Sequence, residues 1–394
     1  MIAPESTLEI RPGPPLQVAD IRTAIIRYEL ANPIQYGQWR ITHREFALVR
    51  VDTVDGYSGF AYGLTRDGPI SEVISRSVTP IYKGMIFENP ADAFYRCKLT
   101  SHAVLSAGTG MRALSLVDMA AWDALARVRG QSITHLLGGE PTPRYATSII
   151  GYPPGMSAQG IYDEVDGLHD AGWRRFKAPI SPDLELTLSR MKSARDAARE
   201  GWLGFDFNYS MSDVTDVVDF AARLDDLNLG WIEDPYPPGD ASAVAAIRSQ
   251  VSMPVAVGDD QGGSYYPEAL LSANAIDVLR VDITANGGVT GLAKVVAQAS
   301  NAGIPISPHM FPHFHTRVLD GLGVADYPAE WGVPGAGVHP MDDELEQPVL
   351  SDGVMEPLAP GEGFGRVVNM GWVSRQSVFD PLEVLREIPK GVCV

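Results

Sequence analysis

A chain of 394 residues, 45% hydrophobic and 20% charged, has the apolar content for a large folded core and the length for two domains. Its formal net charge of -18 argues against a nucleic-acid partner or an anionic membrane surface, while leaving room for an acidic small molecule wherever a local cation outweighs the distant field. Two cysteines, Cys97 and Cys393, make neither a disulfide framework nor a cysteine metal site. The opening MIAPESTLEIRPGPPLQ shows no apolar core of a secretory signal, and no run approaches the ~18 apolar residues of a membrane span. A soluble, cytoplasmic protein is expected.

Residues 1–140 read as an α+β domain. VADIRTAIIRYEL (18–30) and REFALVRVDTVDGYSGFAYG (44–63) alternate apolar and polar positions, the pattern of strands joined by loops. Helical patterns follow and close with ALSLVDMAAWDALARVRGQSITHLLGG (113–139). There Leu114, Met119, Trp122 and Leu125 recur at helical spacing as core positions, and Gly138-Gly139 stop the run.

From Arg144 the texture changes, and short apolar runs alternate with helical segments. YATSIIG precedes a helix at 158–171, RRFKAPI one at 184–199, WLGFDFN one at 214–227 and GWIEDP one at 241–249. MPVAVGDD precedes 267–273, AIDVLRVD 289–302 and GIPISPHM 316–322, with AEWGV last. Alternation of this kind means a parallel sheet, and eight units within residues 141–335 fit a (β/α)8 barrel better than an open doubly wound sheet. Residues 336–394 form a Pro- and Gly-rich segment expected to return to the N-terminal domain.

Seven of the eight strand-like runs carry a charged or ionisable residue at their C-terminal end: Lys177, Asp206, Glu233, Asp259, Asp282, His309 and Glu330. The gaps between them are 29, 27, 26, 23, 27 and 21 residues, each about one βα unit. In a parallel barrel all strand C-termini lie on one rim, where active sites sit, so the spacing gathers seven ionisable groups at one mouth. One strand-end carboxylate is ordinarily a helix cap. Several together raise one another's energy unless a cation holds them. Asp206, Glu233 and Asp259, with no soft ligand nearby, suit a hard divalent ion, Mg²⁺ first. Asn208, two residues beyond Asp206, is placed to touch ligand or metal-bound water. Asp282 and His309 end adjacent strands, where a carboxylate orients an imidazole and raises its basicity. A metal site beside a base suggests proton abstraction next to a carboxylate or carbonyl.

These motifs, in this order, resemble the enolase superfamily in its mandelate racemase/muconate lactonizing enzyme-like branch, over nearly the whole chain. LSLVDMAAWDALARVRGQSITHLLGG resembles the helix closing the family's capping domain, FDFNYS its Asp-x-Asn metal strand, and WIEDP its Glu-Asp/Glu-Pro motif. MPVAVGDD resembles the strand carrying the third ligand, VDITANGGVTG the Asp strand, and GIPISPHMF the His strand. The resemblance implies a modified TIM barrel with an α+β capping domain built from the N-terminal region and the C-terminal tail. It implies Mg²⁺ on Asp206, Glu233 and Asp259, and the Asp282–His309 pair as base. Glu330 would donate a hydrogen bond to the substrate carboxylate, which requires a protonated carboxyl with a raised pKa. Loops near Tyr36–Arg40 and Gly56–Leu64 would select the substrate, with Tyr36 among its contacts, and a homo-oligomer between dimer and octamer is implied. Two departures stand out. The third ligand is usually Glu, here Asp259, with Asp260 alongside as a substitute or substrate contact. The family's Lys-x-Lys is Lys177-Ala178-Pro179, so a second lysine is absent.

Racemisation needs an acid/base on each face of the carbon, and Pro179 supplies none. The expected activity is therefore a metal-dependent lyase that dehydrates a sugar acid to a 2-keto-3-deoxy acid, with Lys177 as a fixed positive charge. A sugar-lactone cycloisomerase or epimerase is the alternative, and a non-catalytic binding barrel the second. Among smaller features, His313 and His315 read as loop histidines near substrate because Pro312 interrupts helical spacing. NGGVTG reads as a tight turn entering a helix. Met341–Glu344 reads as a solvated acidic face. Tyr209, Tyr236 and Arg317 are further candidates for the mouth.

Overall fold

The computed structural model describes residues 8–332, 337–343 and 345–366. Strands β1 (Leu16–Tyr36), β2 (Trp39–Thr53), β3 (Ser58–Leu64) and β4 (Ile86–Phe87) form an antiparallel sheet in the order β3-β2-β1-β4. The helix Gly108–Val128 packs across β2 and β3, buried along nearly all its length. Contact is so close at Gly59 that a Cβ there would lie 2.1 Å from the Ala120 carbonyl oxygen. Trp122 is core, as its spacing predicts. The run through Gly138 is two helices, not one. The first ends at Val128 before Gly130 (φ 62°), and Ile133–Leu137 follows, capped by Gly138 in the left-handed region (φ 98°).

Eight parallel strands follow: β5 (Arg144–Ile149), β6 (Arg175–Pro179), β7 (Trp202–Asp206), β8 (Trp231–Glu233), β9 (Val255–Val257), β10 (Val278–Val281), β11 (Ile306–Pro308) and β12 (Ala329–Gly332). Neighbours pair in chain order from β5 to β11, and β12 curls round to pair with β5, from Ala329↔Ala146 to Gly332↔Ile149. A hairpin of β13 (Leu350–Ser351) and β14 (Val354–Met355) lies antiparallel beside the start of β5 and makes the sheet mixed. The sequence sets the helix starts locally. Ser157, Asp183, Asp213 and Asp240 each accept a hydrogen bond from a backbone N–H in the first turn of the helix they precede.

Two helix boundaries and the burial of one segment differ from expectation. The helix at 214–227 stops at Ala222, with a short 3-10 turn at Asp225–Leu227. The helix expected at 316–322 begins at Pro312, because proline is pre-organised for a first turn and has no N–H to orphan there. Met341 and Asp342 are buried, not solvated: Asp342 accepts from the Tyr62 hydroxyl at 2.6 Å and faces His339 Nδ1 at 3.0 Å. Glu344 lies outside the described residues.

Cap and barrel interlock at named points. The β1–β2 tip is pinned to the rim, where Gln35 N donates to Tyr152 O (2.7 Å) and Gly37 N to Ile180 O (2.8 Å). Gly37 is required there: its φ is 50°, and an added Cβ would sit 1.8 Å from Ser210 Oγ. Of the C-terminal segment, Val338 O accepts from Arg44 Nε and Phe364 N donates to Asp123 Oδ1, both on cap elements, whereas β14 joins the barrel. Residues 336 and 367–394, with Cys393, lie outside the described residues. Cys97 is buried, and burial pushes its thiol up to about 12. Among the described residues no helix is long and apolar enough to cross a membrane.

The helix Gly288–Asn301 begins without a side-chain cap of its own. Asp118 of the cap supplies one, accepting from Thr290 N (2.9 Å) and Thr290 Oγ1 (2.7 Å), while Trp122 Nε1 donates to the same hydroxyl. The NGGVTG turn therefore meets the protein's own carboxyl. Asp118→Ala strips two buried donors of their acceptor and is expected to cost about 2–4 kcal/mol, read from the urea midpoint, with Thr290→Val costing less.

Candidate active site

A cavity of about 680 Å³ lies between the barrel rim and the cap. Parallel register sets its floor: Asp206 and Glu233 end β7 and β8 as direct partners, and Lys177 sits two residues before the end of β6. Tyr36, Lys177, Asp206, Asn208, Glu233, Asp259, Asp260, His309 and Glu330 all line the cavity, and Asp282 stands behind His309. Of the two expected cap loops, Tyr36–Arg40 reaches the cavity. Gly56–Leu64 contributes only Leu64, because β3 spends its side chains against the long cap helix.

Lys177 is the hub of the floor. Its Nζ lies 2.9 Å from Glu233 Oε1, 2.9 Å from Glu330 Oε2 and 3.5 Å from Asp206 Oδ2. Burial opposes its charge, but Glu233, Glu330 and Asp206 outweigh burial and hold the ammonium well above a lysine's usual range. Arg280, fully buried on β10, adds a second cation, 3.1 Å from Glu233 Oε1 and 2.8 Å from Glu330 Oε2. These contacts correct the expectation for Glu330. Burial alone would raise its pKa, but Arg280 and Lys177 bring it down to about 2. Facing both cations and taking a hydrogen bond from Met310 N (3.2 Å), it is placed to favour an ionised acceptor over a protonated donor.

The floor still carries more carboxylate than cation. Oxygens of Asp206, Glu233 and Asp234 lie within 4.8 Å of one another. Burial and the Glu233 charge push Asp206 up to about 7 against the pull of Lys177. Burial, with Asp259 and Asp206 close by, raises Asp234 well above the carboxylate range. Glu233 Oε2 and Asp234 Oδ1 are buried with no hydrogen-bond partner. Uncompensated oxygen donors of this kind fit a hard divalent cation such as Mg²⁺. The third carboxylate in the cluster is Asp234, not Asp259. Left-handed backbone at Asp234 (φ 47°) places it beside Glu233. Asp259 accepts instead from the Tyr209 hydroxyl (3.2 Å) and faces His309 Nδ1 at 3.5 Å. Asp260 is engaged by Arg112 and by Arg66, the latter at 3.2 Å.

Asp282 and His309 stand side by side at the ends of neighbouring strands. Asp282 Oδ1 accepts from Thr284 N and Oγ1, each at 2.7 Å, and Oδ2 lies 3.4 Å from His309 Nδ1. Burial would raise Asp282, but the His309 hydrogen bond and charge bring it below the usual carboxylate range. Burial lowers His309, yet Asp259 and Asp282 leave its pKa raised. With Nδ1 turned to carboxylates, the ring proton belongs there and Nε2 keeps the lone pair.

Other candidates fall away. His313 and His315 are buried on the helix that Pro312 starts. His315 Nε2 accepts from Ile283 N while Nδ1 faces Met310 O, and burial lowers its pKa to about 4. Arg317 bonds Ala359 O, away from the mouth, and Tyr236 does not line the cavity, whereas Tyr209 does. Sequence reasoning missed Arg280, Asp234, Arg112 and Tyr152. Arg280 carried a signal: it is a charge inside an apolar strand, two residues before Asp282 and so on the same face.

The family model described as Enolase C-terminal domain-like matches residues 161–369, and that of the mandelate racemase / muconate lactonizing enzyme N-terminal domain matches residues 20–138. Curated relatives include D-galactarolactone cycloisomerase of Agrobacterium fabrum, 27% identical over 75% of this chain and 79% of the relative. N-succinyl-L-Arg/Lys racemase of Bacillus cereus is 22% identical over 73% of this chain and 78% of its own. Among solved structures, a racemase from Streptomyces coelicolor with bound magnesium superposes with a TM-score of 0.82 at 21% identity, covering 92% of this chain and 100% of its own. An enolase from Bradyrhizobium complexed with magnesium and mandelic acid gives 0.80 at 25% identity, covering 93% and 99%. L-talarate/galactarate dehydratase from Salmonella typhimurium gives 0.80 at 20% identity, covering 92% of each chain.

Mg²⁺ added to chelator-stripped protein should raise unfolding free energy by about 2.7 kcal/mol at a hundredfold excess over Kd. Asp206→Asn and Glu233→Gln should remove that gain in urea titrations, and Asp260→Asn should keep it.

Proposed function

The chain belongs to the enolase superfamily, in its mandelate racemase / muconate lactonizing enzyme branch, and within it we propose a Mg²⁺-dependent dehydratase of a sugar acid. The observation that carries this reading is the one-sidedness of the base. His309 and Asp282 form a complete pair on one wall. Pro179 stands where a second lysine would face the opposite side of the carbon. Lys177 cannot take that part, since its ammonium is saturated by Glu233, Glu330 and Asp206.

His309 Nε2 takes the proton α to the substrate carboxylate, and Asp282 holds the ring and steadies the imidazolium that forms. The Lys177–Arg280 pair sets positive charge under the acid group. Asp206, Glu233 and one of Asp234 or Asp259 would hold a divalent cation, which would supply positive charge to stabilise the developing enolate. The C–H electron pair becomes the C2–C3 double bond. The β-hydroxyl departs with the imidazolium proton as water, which leaves an enol that tautomerises to a 2-keto-3-deoxy acid and returns His309 to neutrality. Glu330 serves as a positioning residue for Lys177 and Arg280.

The 27% identity to a galactarolactone cycloisomerase favours one second reading, in which a lactone ring oxygen leaves in place of hydroxide from the same proton abstraction. Mass spectrometry of products from an acid-sugar panel with Mg²⁺ separates the two: dehydration loses water, and cycloisomerisation gives an isomer. The expected product has lost water and carries a keto group. His309→Asn should lower kcat by about 10²–10⁴-fold at unchanged fold. Turnover of the variant at the parent rate would remove His309 from the mechanism.

A further inference from the structure

The cavity has a second charged wall. Arg44, on β2 of the cap, lines it with a relative exposure of only 8%. Its Nε donates to Val338 O at 3.0 Å, which fixes the guanidinium plane. Among the described residues no carboxylate lies within ion-pair distance of Arg44. Burial lowers its pKa; the neutral phenols of Tyr36 and Tyr152 are near it, and the charged neighbour is Arg66, another cation. Arg66 also lines the cavity and is already held by Asp260.

A buried guanidinium without a counter-ion is costly, and a planar fork of donors matches a carboxylate. The acidic groups of the floor face other partners: Glu233 and Glu330 face Lys177 and Arg280, Asp260 faces Arg112 and Arg66, and Asp259 and Asp282 face His309. Arg44, Tyr152 and Lys177 all line this one cavity. We propose that Arg44, with Tyr36 and Arg66 beside it, receives a second carboxylate, so that the substrate is a dicarboxylic sugar acid. This rests on the dehydratase reading for the reaction, although the subsite itself depends only on Arg44 and its surroundings.

The test pairs an aldaric acid with the aldonic acid of the same configuration at the reacting carbons, on Mg²⁺-loaded protein. Wild type should favour the diacid by about 100-fold or more in kcat/KM, the scale at which a site with buried polar groups rejects a ligand that leaves them unpaired. Arg44→Gln should cost the diacid most of that factor, chiefly through KM, and leave the aldonate within about threefold. Retained aldonate turnover reports a folded variant. Equal losses on both acids, or no loss on either, overturn the proposal.

Calorimetry with the inert pair adipate and hexanoate separates the subsite from the reaction. If no acid is dehydrated, the dehydratase reading fails. The subsite still stands when adipate binds at least about tenfold tighter than hexanoate and Arg44→Gln abolishes the difference. Equal binding of the two acids overturns it.

Discussion

Buried negative charge at the mouth of the barrel is the constraint that organises this molecule. Asp206, Glu233, Asp234, Asp259 and Glu330 meet where water is scarce, and like charges packed this way repel strongly. Lys177 and Arg280 neutralise part of the excess and draw Glu330 into their network. The remainder shows in the raised pKa values of Asp206 and Asp234 and in oxygens without partners. Oxygen donors in such an arrangement suit a hard divalent cation, which would offset the excess charge.

Strand ends deliver these groups, and irregular backbone aims them. Asn208, Tyr209, Asp234, Met310 and Phe311 all adopt positive φ immediately beyond β7, β8 and β11. Such conformations are uncommon for residues with a Cβ, and they gather here at one rim. Asn208 uses its turn to donate its amide to Asp206 Oδ1 at 2.8 Å. Asp234 uses its own to add a carboxylate to the cluster.

The cap is fastened to the barrel at both ends of its work. Asp118 closes the start of a barrel helix, and the β1–β2 tip bonds the rim at Tyr152 and Ile180. The tip thus brings Tyr36 and Arg44 over the floor at fixed positions. Barrel and cap contribute different groups to the one cavity: the barrel carries His309 and the carboxylates, and the cap carries Arg44 and Arg66.

Much of this was written in the sequence, and the reason is periodicity. Apolar runs one βα unit apart force a parallel sheet, and a parallel sheet puts residues such as Lys177, Asp206, Glu233 and His309 on one rim whatever the details. The missing second lysine at Pro179 was legible for the same reason, since side-chain direction follows the two-residue period of a strand. What lies off that period was not legible. Asp234 joins the cluster through a left-handed backbone turn, Pro312 converts two histidines from loop to buried helix, and Asp342 is buried by Tyr62 and His339 from distant segments. The charge of Glu330 was misread because a carboxyl's ionisation depends on its neighbours in space. Arg280 stands 50 residues away in the chain yet 2.8 Å away in the fold. Strand spacing determined which strand-end residues share the mouth; only the packed tertiary structure decided which others join them, which are paired, and which, like Arg44, stand without a carboxylate partner among the described residues.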